Sequence, residues 1–423
     1  MHFPERSARQ GITTLEKRSN RRKECQTASL IRHYPTPRPM SDTFTPVASL
    51  GEFGLIGRMQ ERLAGIPRSE NLIEGIGDDA AVYRAGEGQL HVVTTDVLIE
   101  GVHFDRSFIP MPFLGWKSIA VNVSDVVAMN AKPLYATVSI GMPRNFSVEM
   151  MDALYDGMAD ACKAYGMELV GGDTSTAHAL YISITVIGGV AEQDVVFRRG
   201  ARVGDYICVT GDVGGSYAGL KVLLDQRQAL NDLGDAYEPE LEAHQYVIRR
   251  QLRPHARLDV IDLLQKAGIK PTSMIDISDG IASEIHHIAL RSSVGATVRI
   301  PALPFDPETR AVADQFLDDV DAYALFGGED YELLFTVDPT DVGAIDAMQG
   351  VSIIGNIEEA TKGVRTYSPE TGLMPLHPAG YQHFDGPPEV DYASLDSDDE
   401  NDNVIRFDED LGLDDIEVSG DGA

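Results

Sequence analysis

The segment WKSIAVNVSDVVAMNAKPLYATVSIGMP, residues 116–143, changes its pattern halfway, and this change decides the fold class. The first half predicts a helix. We expect this helix to end at Asn130, because asparagine tolerates the left-handed conformation that often closes a helix and Pro133 follows shortly after. The second half, from Leu134, predicts a strand because it is rich in β-branched residues. The fold therefore combines helices and strands.

Helices and strands continue to alternate on both sides of this segment. The patterns predict helices at 51–64, 147–166, 215–230 and 240–266, a helix from Gly280, and strands at 90–96, 167–172, 181–190, 273–278, 331–337 and 351–357. The order lacks a strict strand–helix–strand rhythm, which favours a mixed α+β fold over a doubly wound parallel sheet. A new turn and a buried strand begin in RRGARVGDYICVT (198–210), so we place one domain at 49–198 and a second at 199–385.

The charge of the chain is strongly negative and unevenly distributed, with a formal net charge of −31. Residues 1–40 carry nine Lys and Arg against three acids, whereas residues 386–423 carry fourteen acids against one Arg. Neither end has the apolar content needed to pack against a core. We therefore expect a basic, disordered extension at 1–48 and an acidic, disordered tail at 386–423.

Composition argues against several classes of function. A chain of this net charge is not expected to bind nucleic acid through a basic face. No run of eighteen apolar residues exists, so we expect no membrane span. The cysteines Cys25, Cys162 and Cys208 are too far apart for a disulfide framework or a metal-ligand motif, which favours a reducing, cytoplasmic location.

Aspartates recur beside glycines or hydroxyl-bearing residues in six short motifs. These are GIGDDAA (75–81), TTD (94–96), NVSD (122–125), VGGDTS (170–175), DISDG (276–280) and GGEDYE (327–332). Carboxylates that are drawn together repel one another unless a divalent cation lies between them. Mg²⁺ prefers hard oxygen ligands and is often held by carboxylates and substrate phosphates, which glycines allow to approach the main chain. The motifs therefore predict a phosphate that is bound through Mg²⁺.

Each motif taken alone also has a plain structural interpretation. Glycine and aspartate dominate ordinary turns. Asp125 lies within the predicted helix, where it either faces solvent or shares a ligand-binding face with Asn122, three residues earlier. His103 could be a packed, half-buried imidazole, Arg198 part of a charged turn, and Tyr381 a packing residue.

Two familiar nucleotide-binding motifs are absent from the sequence. The stretch GGSYAGLK (214–221) resembles a phosphate-binding loop, but Leu220 separates Gly219 from Lys221 and removes the Gly-Lys pair that such a loop requires. No GxGxxG motif follows a predicted strand, so a Rossmann-type dinucleotide site has no support. The predicted phosphate site therefore depends on the aspartate motifs.

Taken in chain order, nine motifs resemble the thiamine-monophosphate kinases, whose superfamily also contains aminoimidazole ribonucleotide synthetase and selenophosphate synthetase. The motifs are GEFGLI, GIGDDAAV, TTDVLIEGVHF, AVNVSDVVAMNAKP, LVGGDTS, VTGDVGGSYAGL, DISDGIASE, FGGEDYELLFTV and GYQHF. The resemblance covers residues 51–385. It implies two α/β domains, of which the first pairs with its counterpart to form a β-barrel homodimer and the second is an α/β sandwich. The implied reaction transfers a phosphoryl group from ATP to thiamine monophosphate with the help of Mg²⁺.

The resemblance also implies roles for individual residues. The implied magnesium ligands are Asp79, Thr94, Thr95, Asp96, Asp125, Asp173, Asp276 and Asp279. The implied ATP contacts are Gly172, Asp173, Arg198 and Ser278, and the implied contacts to thiamine monophosphate are His103, Glu329 and Tyr381. Asp96, Asp125, Asp173 and Arg198 are expected to act in catalysis. The chain departs from the family pattern at Asn130, where Gly is usual, and at Tyr381, where Trp is common.

Two other functions remain open from the sequence. Another enzyme of the superfamily, such as an aminoimidazole ribonucleotide synthetase, would use ATP to activate an amide oxygen for ring closure. A non-catalytic protein would only bind ATP or thiamine phosphate, although the intact aspartate set argues against this. Turnover with thiamine phosphate rather than formylglycinamidine ribonucleotide would discriminate between these functions.

Overall fold

The computed structural model describes residues 46–234 and 237–378. Within these ranges the chain forms two β-sheets and ten α-helices, which confirms the predicted mixed α+β fold. Tyr381, the tail at 386–423 and nearly all of the extension at 1–48 lie outside the described residues.

The first sheet has six strands. They are β1 (Leu72–Glu74), β2 (Ala81–Gly86), β3 (Gln89–Ile99), β4 (Lys132–Met142), β5 (Glu168–Thr176) and β6 (Tyr181–Ala191). They lie in the order β1-β2-β3-β6-β4-β5; β4 and β5 pair in parallel and the other neighbours pair antiparallel. Three helices belong to this part of the chain: α1 (Gly51–Leu63), α2 (Met111–Ala128) and α3 (Val148–Tyr165). The described strands of one chain form an open sheet and not a closed barrel; the barrel that the resemblance implies would require a second copy of the chain.

Helix α2 is buried on nearly all sides because it lies between the first sheet, α3 and the second domain. Two glycines allow α2 and α3 to cross closely. A Cβ atom on Gly115 would lie 2.0 Å from the carbonyl oxygen of Leu154, and one on Gly157 would lie 1.8 Å from that of Pro112. After α2, Asn130 has a φ of 56°, which confirms the predicted left-handed end of the helix.

The second sheet has seven strands. They are β7 (Tyr206–Thr210), β8 (Ser273–Asp276), β9 (Gly295–Arg299), β10 (Leu333–Val337), β11 (Val351–Glu358), β12 (Val364–Ser368) and β13 (Gly372–Pro375), in the order β13-β12-β9-β11-β7-β10-β8. The helices of this region are α4 (Gly215–Leu233), α5 (Gln245–Leu252), α6 (Leu258–Ala267), α7 (Ile281–Ser292), α8 (Pro307–Phe316), α9 (Val320–Phe326) and α10 (Val342–Asp346). The predicted domain boundary at 198/199 lies in the connection between β6 and β7.

The prediction of one helix at 240–266 is wrong, because α5 and α6 are separate helices. Pro254 lies between them, and proline lacks the N–H that a helix interior needs and clashes with the preceding turn. The linking residues instead contact the first domain. The carbonyl oxygen of Pro254 accepts a hydrogen bond from Trp116 Nε1 at 2.7 Å, and Ala256 N donates to the hydroxyl of Tyr165 at 3.0 Å. The break in the helix therefore fixes α2 against the second domain.

The structure also describes the helices and two of the cysteines that the composition argument considered. No helix in the described ranges is long and apolar enough to cross a membrane. Cys162 and Cys208 are buried free thiols.

Candidate active site

Three aspartates converge where the two domains meet. Asp79 precedes β2, Asp125 lies on α2 and Asp276 ends β8, and each offers a carboxylate oxygen within 4.8 Å of the other two. Asp79 and Asp276 are buried and Asp125 is half-buried. These residues are far apart in sequence and are three of the eight predicted magnesium ligands. We refer to them as the carboxylate cluster.

Helix α2 places this cluster between the domains. Asp125 Oδ2 accepts a hydrogen bond from the Thr94 hydroxyl at 2.6 Å, and Asn122 Oδ1 accepts one from Asp96 N at 2.9 Å. Residues three apart on a helix share a face, so Asn122 and Asp125 both reach β3, as the i, i+3 spacing suggested. Ser124 points to the second domain, where its hydroxyl donates to Asp276 Oδ2 at 2.6 Å.

Strand alternation separates the two predicted threonine ligands. Thr94 is buried on the face of β3 that α2 covers, and Asp96 follows two residues later on that same face. Thr95 points to the opposite face, where its hydroxyl donates to the Ile184 carbonyl at 3.1 Å and accepts from the Thr185 hydroxyl at 3.1 Å. The structure therefore brings the side chains of Thr94 and Asp96 next to the cluster but not that of Thr95.

Arg198 contacts the cluster through Asp79. Its Nε and Nη2 atoms both donate to Asp79 Oδ1, at 3.0 and 2.6 Å, and its backbone N donates to Asp78 Oδ1 at 3.1 Å. The second oxygen, Asp79 Oδ2, is buried and has no hydrogen-bond partner among the described residues. A buried oxygen without a donor is costly. A hard divalent cation would satisfy it, so the donor set fits Mg²⁺.

Burial raises the pKa values of the clustered carboxyl groups. It raises the pKa of Asp96 to about 6 and that of Asp276 to about 7, where the charge of Asp79 also contributes. The pKa of Asp125 lies well above its usual range through burial and the charges of Asp96, Asp276 and Asp79. Without a cation, the charged cluster therefore opposes folding near neutral pH.

Magnesium should stabilise the protein more at pH 8 than at pH 5. In the folded state the pKa values of Asp96 and Asp276 are about 6 and 7 rather than 3.8. Their destabilising effect is thus absent below about pH 4, grows as the pH rises, and is complete above about pH 7. His255 and His287 act in the opposite direction between about pH 4 and 6.5, because burial lowers their pKa values to about 4.

The quantity to compare is therefore the rise in melting temperature on adding Mg²⁺ to EDTA-treated protein. Because the histidines contribute equally with and without the metal, they cancel in this difference. A rise of the same size at both pH values would show that these aspartates do not bind the metal.

The DISDG segment joins the cluster to helix α7. The backbone N atoms of Ser278 and Asp279 donate to Glu284 Oε1, at 3.2 and 2.8 Å. Glu284 is buried in the first turn of α7, and burial together with the charge of Asp279 raises its pKa well above the usual range. Sequence reasoning missed Glu284, an acid in the first turn of a predicted helix, where the helix dipole favours negative charge. It also passed over Asp78, the first aspartate of GIGDDAA.

Glu329 lies near the other end of α2, where it pairs with Lys117. Glu329 has a φ of 55°, and its backbone N donates to the Ser278 carbonyl at 2.7 Å. Its carboxylate accepts a hydrogen bond from Lys117 Nζ, on α2, at 3.1 Å. His103 Nδ1 accepts from Ile99 N at 3.0 Å, so the neutral ring carries its proton on Nε2. Lys117 was also missed, although a lysine within an apolar helix is an unusual feature.

The loop that resembled a phosphate-binding loop has its helix N-terminus already occupied. The backbone N atoms of Gly214 and Ser216 donate to the two carboxylate oxygens of Asp330, at 2.7 and 3.2 Å. A protein carboxylate thus takes the position that an anion would take at such a helix start. This agrees with the absence of the Gly-Lys pair.

Comparison with known proteins identifies the family. Residues 77–190 match the model of the AIR synthase related protein, N-terminal domain, and residues 202–368 match the C-terminal domain of the same family. The thiamine-monophosphate kinase of Aquifex aeolicus (strain VF5) is 38% identical over 315 residues, which are 72% of this chain and 95% of that relative. The chain belongs to the thiamine-monophosphate kinase family.

Further members of the thiamine-monophosphate kinase family are also similar to this chain. The enzyme of Bacillus subtilis (strain 168) is 34% identical over 316 residues, which are 73% of this chain and 93% of that relative. The chain is also similar to a solved structure, AaThiL complexed with AMPPCP and TMP, with a TM-score of 0.69 and 36% sequence identity. The match covers 81% of this chain and all of the solved chain.

Two of the residues that were predicted to contact ATP lie away from the carboxylate cluster. Gly172 and Asp173 are exposed on β5, the edge strand of the first sheet. Three strand spacings separate β5 from β3, which corresponds to about 14 Å. One chain therefore does not bring Asp173 to Asp125. Tyr381, the third predicted contact to thiamine monophosphate, lies outside the described residues.

Proposed function

We propose that the protein transfers the γ-phosphoryl group of ATP to the phosphate of thiamine monophosphate, giving ADP and thiamine diphosphate. The observation that carries this proposal is the carboxylate cluster in a chain that belongs to the thiamine-monophosphate kinase family; within the described ranges, Asp79 Oδ2 of this cluster has no hydrogen-bond partner. The ligands of the solved relative, AMPPCP and TMP, support the same pair of substrates.

The acceptor in this reaction needs no general base. A phosphate oxygen is already ionised near neutral pH, so the obstacle is the approach of two anions. Mg²⁺, when bound, would screen this repulsion and stabilise charge on the transferring phosphoryl group. Asp79, Asp125 and Asp276 would hold it, with Thr94 and Asp96 beside them. The roles implied for Thr95, Asp173 and Asp279 at the metal, and for Gly172 and Ser278 at ATP, remain proposals.

Arg198 would act at the transferring phosphoryl group, and Glu329 would act at the thiamine part of the acceptor. Arg198 already lies at the cluster, where a cation would offset negative charge on the phosphoryl group. Glu329 and His103 would contact the thiamine part, together with Tyr381. This division of roles explains a site built from aspartates and hydroxyls rather than from a nucleophile and a base.

The exposed surfaces of the first sheet favour a homodimer. One face of the first sheet packs on α2, whereas the opposite face carries exposed residues such as Val97 and Tyr135. The edge strand β5 exposes eight of its nine residues. We propose that these surfaces pair with a second copy to form the implied barrel. Sedimentation should then give twice the mass of the chain, and a monomer at micromolar concentration would contradict the proposal.

The free Cys162 and Cys208 support a reducing, cytoplasmic location.

The assay for the proposed function is acceptor-dependent release of ADP from ATP. With Mg²⁺, we expect release with thiamine phosphate and none above background with formylglycinamidine ribonucleotide. EDTA should abolish the release and excess Mg²⁺ should restore it, because the carboxylates cannot replace the cation. Release only with the ribonucleotide would favour the aminoimidazole ribonucleotide synthetase reaction, and tight binding without release would favour a non-catalytic protein.

A further inference from the structure

Lys117 is a fully buried cation that the proposed reaction does not yet use. Its side chain projects from α2, where Trp116, Ser118 and Ile119 are also buried, and the residue is 1% exposed. An ammonium group is costly to remove from water unless acceptors surround it. Lys117 Nζ donates to the Gln251 carbonyl and to Glu329 Oε2, each at 3.1 Å. Both acceptors belong to the second domain, although α2 belongs to the first.

Among the described residues, Glu329 has partners at only one of its two carboxylate oxygens. Oε2 accepts from Lys117 Nζ and from Gln251 Nε2, the latter at 2.8 Å. Gln251 is itself fixed, because its Oε1 accepts from the buried Ser216 hydroxyl. Oε1 of Glu329 has no donor among the described residues, and its side chain is 27% exposed. Two donors thus orient the carboxylate so that one oxygen remains for a ligand.

The same helix face also fixes the cluster. Ser124, which donates to Asp276, follows Lys117 by seven residues, that is, by two turns of α2. Two turns correspond to about 10.5 Å along the helix axis. Helix α2 therefore sets the distance between the cluster, where the phosphates would lie, and the carboxylate of Glu329.

We propose that Lys117 is a positioning residue that holds Glu329 for the thiamine part of the substrate. The inference rests on the proposed function and goes beyond it by assigning a role to a residue that touches neither substrate. The ammonium group pairs with the Glu329 carboxylate and fixes its orientation, so that Oε1 faces a hydrogen-bond donor or the positive ring of the ligand. ATP, which would bind at the cluster, is not affected by this contact.

A double-mutant cycle tests the inference. Lys117→Met, Glu329→Gln and the double variant are compared with the unaltered protein for the KM of thiamine phosphate, the KM of ATP, and thiamine phosphate binding by calorimetry. Lys117→Met should raise the KM of thiamine phosphate about 10–100-fold, the range of one charge-assisted hydrogen bond, with little change for ATP. With Gln at 329, the same substitution should add less than about 3-fold, because the two residues act as one unit.

Equal penalties in both backgrounds, an unchanged KM for thiamine phosphate, or equal rises in both KM values would overturn the inference. If Lys117→Met does not fold, Lys117→Arg keeps the buried charge. Its larger head should displace Glu329, again raising only the KM of thiamine phosphate and only where Glu329 is present. An unaltered protein that neither binds nor turns over thiamine phosphate would instead refute the proposed function.

Discussion

Asp125→Asn should slow the turnover of thiamine phosphate about 10²–10³-fold, which is the usual cost of removing one group that stabilises transition-state charge. Asp125 belongs to the carboxylate cluster and is held by the Thr94 hydroxyl. Asparagine keeps the shape of the side chain and one oxygen, so the loss should fall on kcat more than on the KM of either substrate.

The same substitution should raise the melting temperature of the metal-free protein at pH 8. Burial and three neighbouring aspartates raise the pKa of Asp125 well above its usual range, so its charged form opposes folding there. The gain should disappear near pH 4, where the group is protonated in the folded state. Asp156→Asn, at an exposed position on α3, is the matched control and should change neither quantity. A destabilised Asp125→Asn variant with nearly normal kcat would mean that Asp125 is only a structural residue.

Arg198→Met should have the opposite effect on stability and a comparable effect on rate. The guanidinium group is the cation that faces Asp79, whose pKa burial raises even in its presence. Removing one partner of a buried ion pair typically costs about 3–5 kcal/mol because the other charge is left uncompensated. We therefore expect a lower melting temperature at pH 8 without metal, a smaller loss at pH 5, and partial recovery with Mg²⁺.

The turnover of Arg198→Met should fall about 10²–10³-fold, since a cation at the transferring group is lost. Methionine retains the apolar stem, so packing should change little. Arg202→Met, four residues later and exposed, should stay within about 0.5 kcal/mol of the unaltered protein. If Mg²⁺ restored the stability of Arg198→Met and its full rate, Arg198 would act only as a counter-ion for Asp79.

Sequence reasoning succeeded where the structure depends on neighbours along the chain. Helical spacing correctly placed Asn122 and Asp125 on one face, and the left-handed tendency of asparagine correctly marked Asn130. The aspartate motifs pointed to residues that the fold then brought together at the meeting point of the domains. The rules behind these predictions involve contacts within three or four residues, which a sequence displays directly.

Sequence reasoning failed where a contact joins residues that are far apart in the chain. The partner of Lys117 lies 212 residues away, and Asp330 caps α4 from more than 110 residues along the chain. Other shortcomings concern neighbours along the chain: the single helix predicted at 240–266 ignored Pro254, which marks the break between α5 and α6. The motif TTD also did not show that the side chain of Thr95 faces away from those of Thr94 and Asp96, because successive side chains of a strand face opposite sides.

The most direct test of the central claim is the identity of the product, followed by ³¹P NMR in a mixture of protein, ATP, Mg²⁺ and thiamine phosphate. The account predicts that the thiamine phosphate singlet is replaced by the two coupled signals of a diphosphate ester as ADP appears. EDTA should prevent this conversion. Persistence of the singlet while ATP yields only ADP and inorganic phosphate would contradict the account.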